Sequence, residues 1–437
     1  MNQAQLIACR ECDLLQRKVR LSKGAAARCV RCGATLYRYV PTTVDHALAL
    51  ACAAAILFIV ANYLPIAGLS VNGISVETTL LGAVLTLYND GMWPIAGLVC
   101  VTTFLMPLLN IAAVIYLLAP MRVGRVPCKP EMVCRILRHV APWGMIEVLI
   151  LGLLVTLVKL QRIATVVPGA AMWVLAAVML LLAAATISFN PRDILTRIGT
   201  ADTVDIARSV ADAVDDVLAY PRAITAASVG LCACHDCGLL SKLPSHKHRR
   251  CPRCGAALHQ RKSSSLVRTW AFIFAAMALY VPALVLPVML TGTLLGTQPD
   301  TIMSGIVYFW NTGSWPLAII VFIASIAVPL LKIFSLAYLA VSVQFCSRLI
   351  PHQRTTLYRL VEFVGRWSML DIYVITLLVA LVKFGDLATI EAGPGAIAFG
   401  AVVVLTMFAA LSFDPRLIWD PVEWDGVDWD AVELKNE

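Results

Sequence analysis

The chain has 437 residues, 59% of them hydrophobic and only 14% charged, with a formal net charge of +8. That balance excludes an ordinary soluble globular protein, where about a quarter of residues carry charge. Its 14 cysteines lie in a chain far too long and apolar for a small secreted disulfide scaffold.

The N-terminus is polar and cysteine-bearing, and no cleavable signal peptide is visible before the first apolar run near His46. Residues 1–45 carry Cys9-x2-Cys12 and Cys29-x2-Cys32, the ligand spacing of a four-thiolate zinc ribbon. Four thiolates close a tetrahedral shell and leave no position for water, so the metal is expected to be structural. It would supply folding free energy to a segment too short for its own core.

Apolar segments at 46–69, 93–118, 144–163 and 170–189 are each read as spans across about 30 Å of hydrocarbon, giving a first four-helix module over 46–198. Residues 199–230 follow as an acidic helical linker. There Val204, Ala207, Val210, Val214 and Val217 keep helical spacing among aspartates, which reads as a connector packed on the ribbon after it. Residues 231–267 repeat the ribbon with Cys234, Cys237, Cys251 and Cys254; His235, His246 and His248 lie nearby but are not needed as ligands. Most of the other six cysteines read as inert small hydrophobes, and Cys232 is a spare thiol two residues before Cys234. Spans at 268–290, 315–341, 368–384 and 395–413 form the second module over 268–416, and an acidic cytoplasmic tail covers 417–437.

The fold class expected is therefore an all-α polytopic membrane protein, a tandem repeat of ribbon plus four-helix module with eight spans. The duplication holds away from the cysteines. Asn89, Gly91, Trp93 and Pro94 recur 222 positions on as Asn311, Gly313, Trp315 and Pro316, and Ser188-Phe189-Asn190-Pro191-Arg192 recurs as Ser412-Phe413-Asp414-Pro415-Arg416. A repeat this long is a whole domain.

Loop charge sets the expected orientation. Residues 1–45, 119–142, 190–267 and 342–367 are rich in Lys and Arg, whereas 70–92, 291–314 and 385–394 have none. The positive-inside rule puts both termini, both ribbons and the linker in the cytoplasm. A reducing compartment favours metal over disulfide at the thiols. The basic charge is accounted for by topology, so nucleic acid is not an expected partner.

Polar residues inside spans are the second signal. Ser325 and Lys332 share a face of the sixth span, Ser368 and Asp371 share a face of the seventh, and Thr406 lies in the eighth. A charge in hydrocarbon costs a few kcal/mol or more and usually turns inward; a snorkelling pair of structural value is the competing reading. Lys332 corresponds to Asn110, Ser368 to Gly144 and Thr406 to Leu182, while Asp371 keeps an acid, Glu147. The second module is expected to be the working half, with Lys332 and Asp371 converging on a pocket. Pro107 and Pro329 sit at matching places as kinks. No Walker motif, HExxH, GxSxG or dinucleotide fingerprint is present, so neither an enzyme nor an ATPase is expected.

Paired CxxC ribbons, each followed by four spans and a Ser-Phe-[Asn/Asp]-Pro-Arg exit, resemble the paraquat-inducible protein A family over nearly the whole chain. The chain is most similar to the lipophilic envelope-spanning tunnel protein A-like branch. The resemblance implies tetraspanin-like modules in a Gram-negative inner membrane. It also implies a periplasmic MCE-domain tunnel protein as partner, phospholipid as cargo, two structural Zn2+, and a functional polar network that Ser325, Lys332, Ser368, Asp371 and Thr406 can match. Two other readings stand beside lipid transport: a zinc- or thiol-based redox sensor, and a membrane scaffold for a periplasmic partner.

Overall fold

The computed structural model describes residues 6–19, 21–39, 44–71, 74–160, 165–188, 224–242, 250–293, 296–382 and 388–422. Most of the acidic linker, His246 and His248, the first Asn-Pro-Arg exit and the tail beyond 422 lie outside them.

Two modules of the same plan follow one another. The first holds α1 (Val44–Tyr63), α2 (Leu80–Asn89), α3 (Trp93–Cys100), α4 (Met106–Arg122), α5 (Pro130–Val140), α6 (Ile146–Leu160) and α7 (Ala170–Ser188). The second repeats them as α8 (Ser265–Val285), α9 (Ile302–Asn311), α10 (Trp315–Phe322), α11 (Val328–Gln344), α12 (Pro351–Trp367), α13 (Leu370–Leu381) and α14 (Pro394–Ser412). Among the described residues seven helical runs are long and apolar enough to cross a membrane, α12 and α13 counting as one. The expected span at 144–163 forms as α6, and its described apolar stretch, Ile146–Leu157, is shorter than a full crossing. Within each module the first helix packs along the last and against the long kinked helix between them.

The kinks at Pro107 and Pro329 have a common cause. Proline has no N–H to donate, so the helix resets its register one turn earlier. Val101–Leu105 and Ile323–Ala327 are π turns, with the Met106 N–H bonding the Val101 carbonyl and the Val328 N–H bonding that of Ile323. Thr103 and Ser325 occupy equivalent, buried positions inside them.

The loops without Lys or Arg are folded. Strands Ala67–Val71 and Ile74–Thr78 pair as a hairpin in register Val71↔Ile74, and Thr165–Pro168 joins the first of them. Met289–Thr293, Gly296–Asp300 and Ala388–Ala392 repeat this sheet. The returning chain passes so close to the preceding helix end that a Cβ at Gly169 would strike the Pro65 carbonyl, and one at Gly393 that of Pro287. Glycine is required at both places.

The modules meet through α6 and α13. A Cβ on Gly152 would lie 3.1 Å from that of Tyr373, so the two helices approach closely. The Tyr373 hydroxyl donates to Thr102 Oγ1 at 3.0 Å, tying α13 to the π turn of the first module. Ile372 through Leu381 are all buried, as expected for a helix apolar on every side. The two modules are not equivalent here. Helix α13 packs against α2 as well as α6. In the corresponding space of the second module, α6 contributes Val155 alone, at the edge of a cavity.

Candidate functional site

The cysteines expected as metal ligands come together as two quartets. Cys9, Cys12, Cys29 and Cys32 form one, and Cys234, Cys237, Cys251 and Cys254 the other; within each, the sulfurs all lie within 4.8 Å of one another. A tetrahedron with metal–sulfur bonds of about 2.3 Å has edges of about 3.8 Å. The Cys9–Cys32 and Cys12–Cys29 sulfurs are 3.5 Å apart, and those of Cys234–Cys254 and Cys237–Cys251 are 3.4 Å apart. All eight are unbridged thiols and all are buried. Donor type, number and spacing fit a closed four-thiolate metal shell. Knuckle geometry supports it: Gly33, Gly238 and Gly255 turn at positive φ, and Asp13 takes the fourth such place at φ 61°. The Gln16 amide adds an N–H to Cys29 Sγ at 3.0 Å.

Each ribbon sits on the module of the other repeat. The first quartet packs with Leu339, Tyr358, Phe413 and Ile418 of the second module. The second packs with Ala47, Ala51, Leu117 and Leu137 of the first. Matching arginines make the attachments. Arg359 donates to Glu11 Oε2 through Nε at 2.8 Å and Nη2 at 2.6 Å, and to the Cys32 carbonyl at 2.7 Å. Arg135, 224 positions earlier, donates to Asp236 Oδ2 at 3.0 Å and to the Cys254 carbonyl at 3.2 Å. Glu11 and Asp236 each lie between the two cysteines of a first knuckle, so the clamp is part of the repeat.

The ribbons are also joined to each other. Leu15 N donates to the Ile224 carbonyl at 2.9 Å, and Ala226 N to that of Asp13 at 2.9 Å. The described end of the linker therefore pairs with the first ribbon. Asp13 is buried and paired with Arg261 at 2.9 Å, with Arg416 at 3.9 Å. Burial pushes the Asp13 carboxyl up while the two guanidiniums pull it down, the net direction being upward. Arg416 also meets His235, and burial beside Arg416 and Arg138 drops that imidazole to about 4. Arg416 belongs to the Ser-Phe-Asp-Pro-Arg exit, whose Asp414 accepts from Lys262 N at 3.0 Å. The motif fastens the end of the second module to both ribbons.

The polar residues of the second module divide into two groups. Lys332 is 1% exposed, and its Nζ donates to Thr406 Oγ1 at 2.9 Å and Ser368 Oγ at 3.3 Å. Ser325 and Asp371 instead line a separate cavity of about 70 Å³ toward the sheet side, walled by Ile302, Phe309, Val374 and Phe399. The expected convergence of Lys332 and Asp371 is not what the chain builds. Seven residues beyond Ser325, Lys332 lies on α11 past the π turn, and it meets hydroxyls there. Lys332 faces a second, larger space of about 380 Å³ toward the ribbon side, lined also by Pro142, Arg359, Glu362, Gly365, Met407 and Leu411. Along α14, Phe399 lines the outer cavity and Ala410 the inner one, with Thr406 between them.

Fold and site define a tandem polytopic membrane protein, two helical modules each seating the other repeat's four-cysteine ribbon. The chain belongs to the paraquat-inducible protein A family, whose profile matches residues 44–199 and 266–423. It is 32% identical over 430 residues to the intermembrane transport protein PqiA of Escherichia coli strain K12, covering 95% of this chain and 96% of the relative. It is 29% identical over 431 residues to a probable intermembrane transport protein of Haemophilus influenzae, covering 95% and 96%. It is 28% identical over 416 residues to the lipophilic envelope-spanning tunnel protein A of E. coli K12, covering 95% and 91%. No solved structure matches.

Proposed function

We propose that the protein is an inner-membrane component of an intermembrane lipid transport system, passing phospholipid between that membrane and a periplasmic MCE-domain tunnel protein through its second module. It acts as a carrier without catalytic turnover, and each four-cysteine ribbon holds a structural Zn2+ on the cytoplasmic side. The relatives named as intermembrane transport proteins support the role. So do the Lys- and Arg-rich segments 119–142 and 342–367, whose Arg135 and Arg359 hold the ribbons.

One observation carries the reading. A buried ammonium held by Ser368 and Thr406 stands between two cavities, one in each half of the second module. The first module has Asn110, Gly144 and Leu182 in those places. Burying a lysine mid-span costs about 2.5–3.5 kcal/mol on insertion scales, a cost with no return in a passive scaffold. Apolar walls suit acyl chains, and the polar cluster offers a passing headgroup a cationic contact at that depth. Thiols this buried are poorly placed for redox sensing.

The test is complementation of an envelope-defective strain. Lys332→Ala and Thr406→Leu, the latter copying the first module, should abolish rescue at near-normal membrane levels. Full rescue by both variants, or failure only through loss of the protein, would remove the assignment.

A further inference from the structure

We infer that the ribbon-side cavity is a capture site for the phosphate of a membrane lipid, with Lys332 as the cation at its floor. The inference rests on the lipid-transport reading and specifies which cavity takes which chemical group, from which leaflet.

The donor count points to an anionic ligand. A lysine ammonium has three N–H donors and no acceptor. Two of them are used on Ser368 and Thr406, both neutral hydroxyls. Among the described residues Lys332 makes no ion pair, so its third donor and its full charge remain for whatever occupies the space it lines. Buried cations are ordinarily paired. An oxygen of a singly charged phosphodiester at this point would complete both the hydrogen bonding and the charge.

Access to Lys332 is built into the backbone. Gly365 on α12 is buried, and a Cβ there would stand 3.8 Å from Lys332 Cε and 3.9 Å from Nζ, in ordinary contact, so a side chain extending beyond Cβ would take up space beside the lysine. The rest of the wall carries one carboxylate, Glu362, and is otherwise apolar, which favours an amphiphile over a soluble anion. Pro142 of the first module, Phe363, Met407 and Leu411 supply the apolar part. They bring the seam between modules to the cavity, the direction from which a lipid in the ribbon-side leaflet can enter with its chains still in hydrocarbon. Arg359 also lines this space while holding ribbon one through Glu11. The seating of the ribbon therefore fixes one side of the opening.

The full chain in nanodiscs, labelled with photoreactive lipids, provides the test. One probe is phosphatidylglycerol with a photoreactive group near the glycerol; the other is diacylglycerol with the same group. The phosphatidylglycerol probe should label peptides containing Pro142, Phe363 and Leu411 about tenfold more than the diacylglycerol probe. Lys332→Met keeps the stem and needs no buried charge to fold, and it should bring labelling down to the diacylglycerol level; Gly365→Leu should do the same. Equal labelling by the two probes, or labelling indifferent to Lys332→Met, overturns the inference. Competition with inorganic phosphate separates the sources. Undiminished labelling assigns the site to the lipid, and complete displacement assigns it to free phosphate and overturns the lipid assignment. Labelling confined to the outer cavity around Phe309 and Val374 sinks this inference but leaves lipid transport standing. No labelling anywhere in the second module counts against both.

Discussion

Removing the Arg359 side chain should loosen the ribbon that is farthest from it in sequence. Arg359 makes three N–H contacts to the first ribbon, two on Glu11 and one on the Cys32 carbonyl. Fully exposed ion pairs contribute about 0.2–1 kcal/mol, whereas losing a hydrogen bond to a charged group in a buried setting costs about 1.5–3 kcal/mol. The Arg359 and Glu11 side chains are 32% and 23% exposed, between those limits. A total of about 2 kcal/mol is reasonable, equivalent to about 30-fold in the equilibrium for opening the ribbon. The assay is alkylation of metal-loaded protein under a competing chelator, read cysteine by cysteine by peptide mass spectrometry. Arg359→Ala should accelerate modification of Cys9, Cys12, Cys29 and Cys32 by about 30-fold while leaving the second quartet within a factor of about three. Arg135→Ala should give the mirror result at Cys234, Cys237, Cys251 and Cys254. Acceleration at the second quartet by Arg359→Ala, or equal acceleration at both, would refute the crossed seating.

Other consequences follow from particular contacts. Gly152→Leu must force α6 from α13 at Tyr373, an overpacking cost of about 1–3 kcal/mol; a lower thermal midpoint is expected, and an unchanged one would mean the modules do not meet there. Tyr373→Phe loses one bond to Thr102, whose hydroxyl still reaches the Leu98 carbonyl. Its cost should be about 0.6 kcal/mol, the average for polar contacts between membrane helices, and chemical denaturation in mixed micelles measures it. Elemental analysis of reduced protein should find two metal ions per chain, identified as zinc, and Cys29→Ser should lower folded yield more than specific activity. A membrane-impermeant thiol reagent added from the periplasm should label Gln298→Cys but not the native exposed Cys128 or Cys346, which lie on the ribbon side; the reverse pattern would invert the topology.

Much of this architecture is legible in the sequence because it is written twice. Cysteine spacing gave both quartets, since a tetrahedral shell tolerates little variation in knuckle geometry. Apolar length located the helices, although the described apolar stretch of α6, Ile146–Leu157, is shorter than a full crossing. Other features were hidden for physical reasons. The hairpin of the first module could have been found: Asn72-Gly73 between alternating Leu69, Val71, Ile74 and Val76 is a strong two-residue turn signal. Its counterpart, Thr293-Leu294-Leu295-Gly296, has no such signal. Crossed seating of the ribbons could not be read, because the repeat puts an arginine at both 135 and 359 and an acid at both 11 and 236. Either pairing satisfies the pattern, and only the packed chain selects one. Lys332 and Asp371 have opposite charge and similar depth, which suggests a pair. The sequence does not show that a π turn carries Ser325 ahead of α11, leaving Ser325 at one cavity with Asp371 and Lys332, on α11, with hydroxyls at the other.

The central claim is that the second module, and not the first, holds lipid. A density map of the full chain in a phospholipid nanodisc tests it most directly. The account predicts lipid density in the second module, with its headgroup at the Lys332–Ser368–Thr406 cluster, and none at Asn110 and Leu182 of the first. Lipid at both clusters, or at neither in a map that resolves side chains, would contradict it.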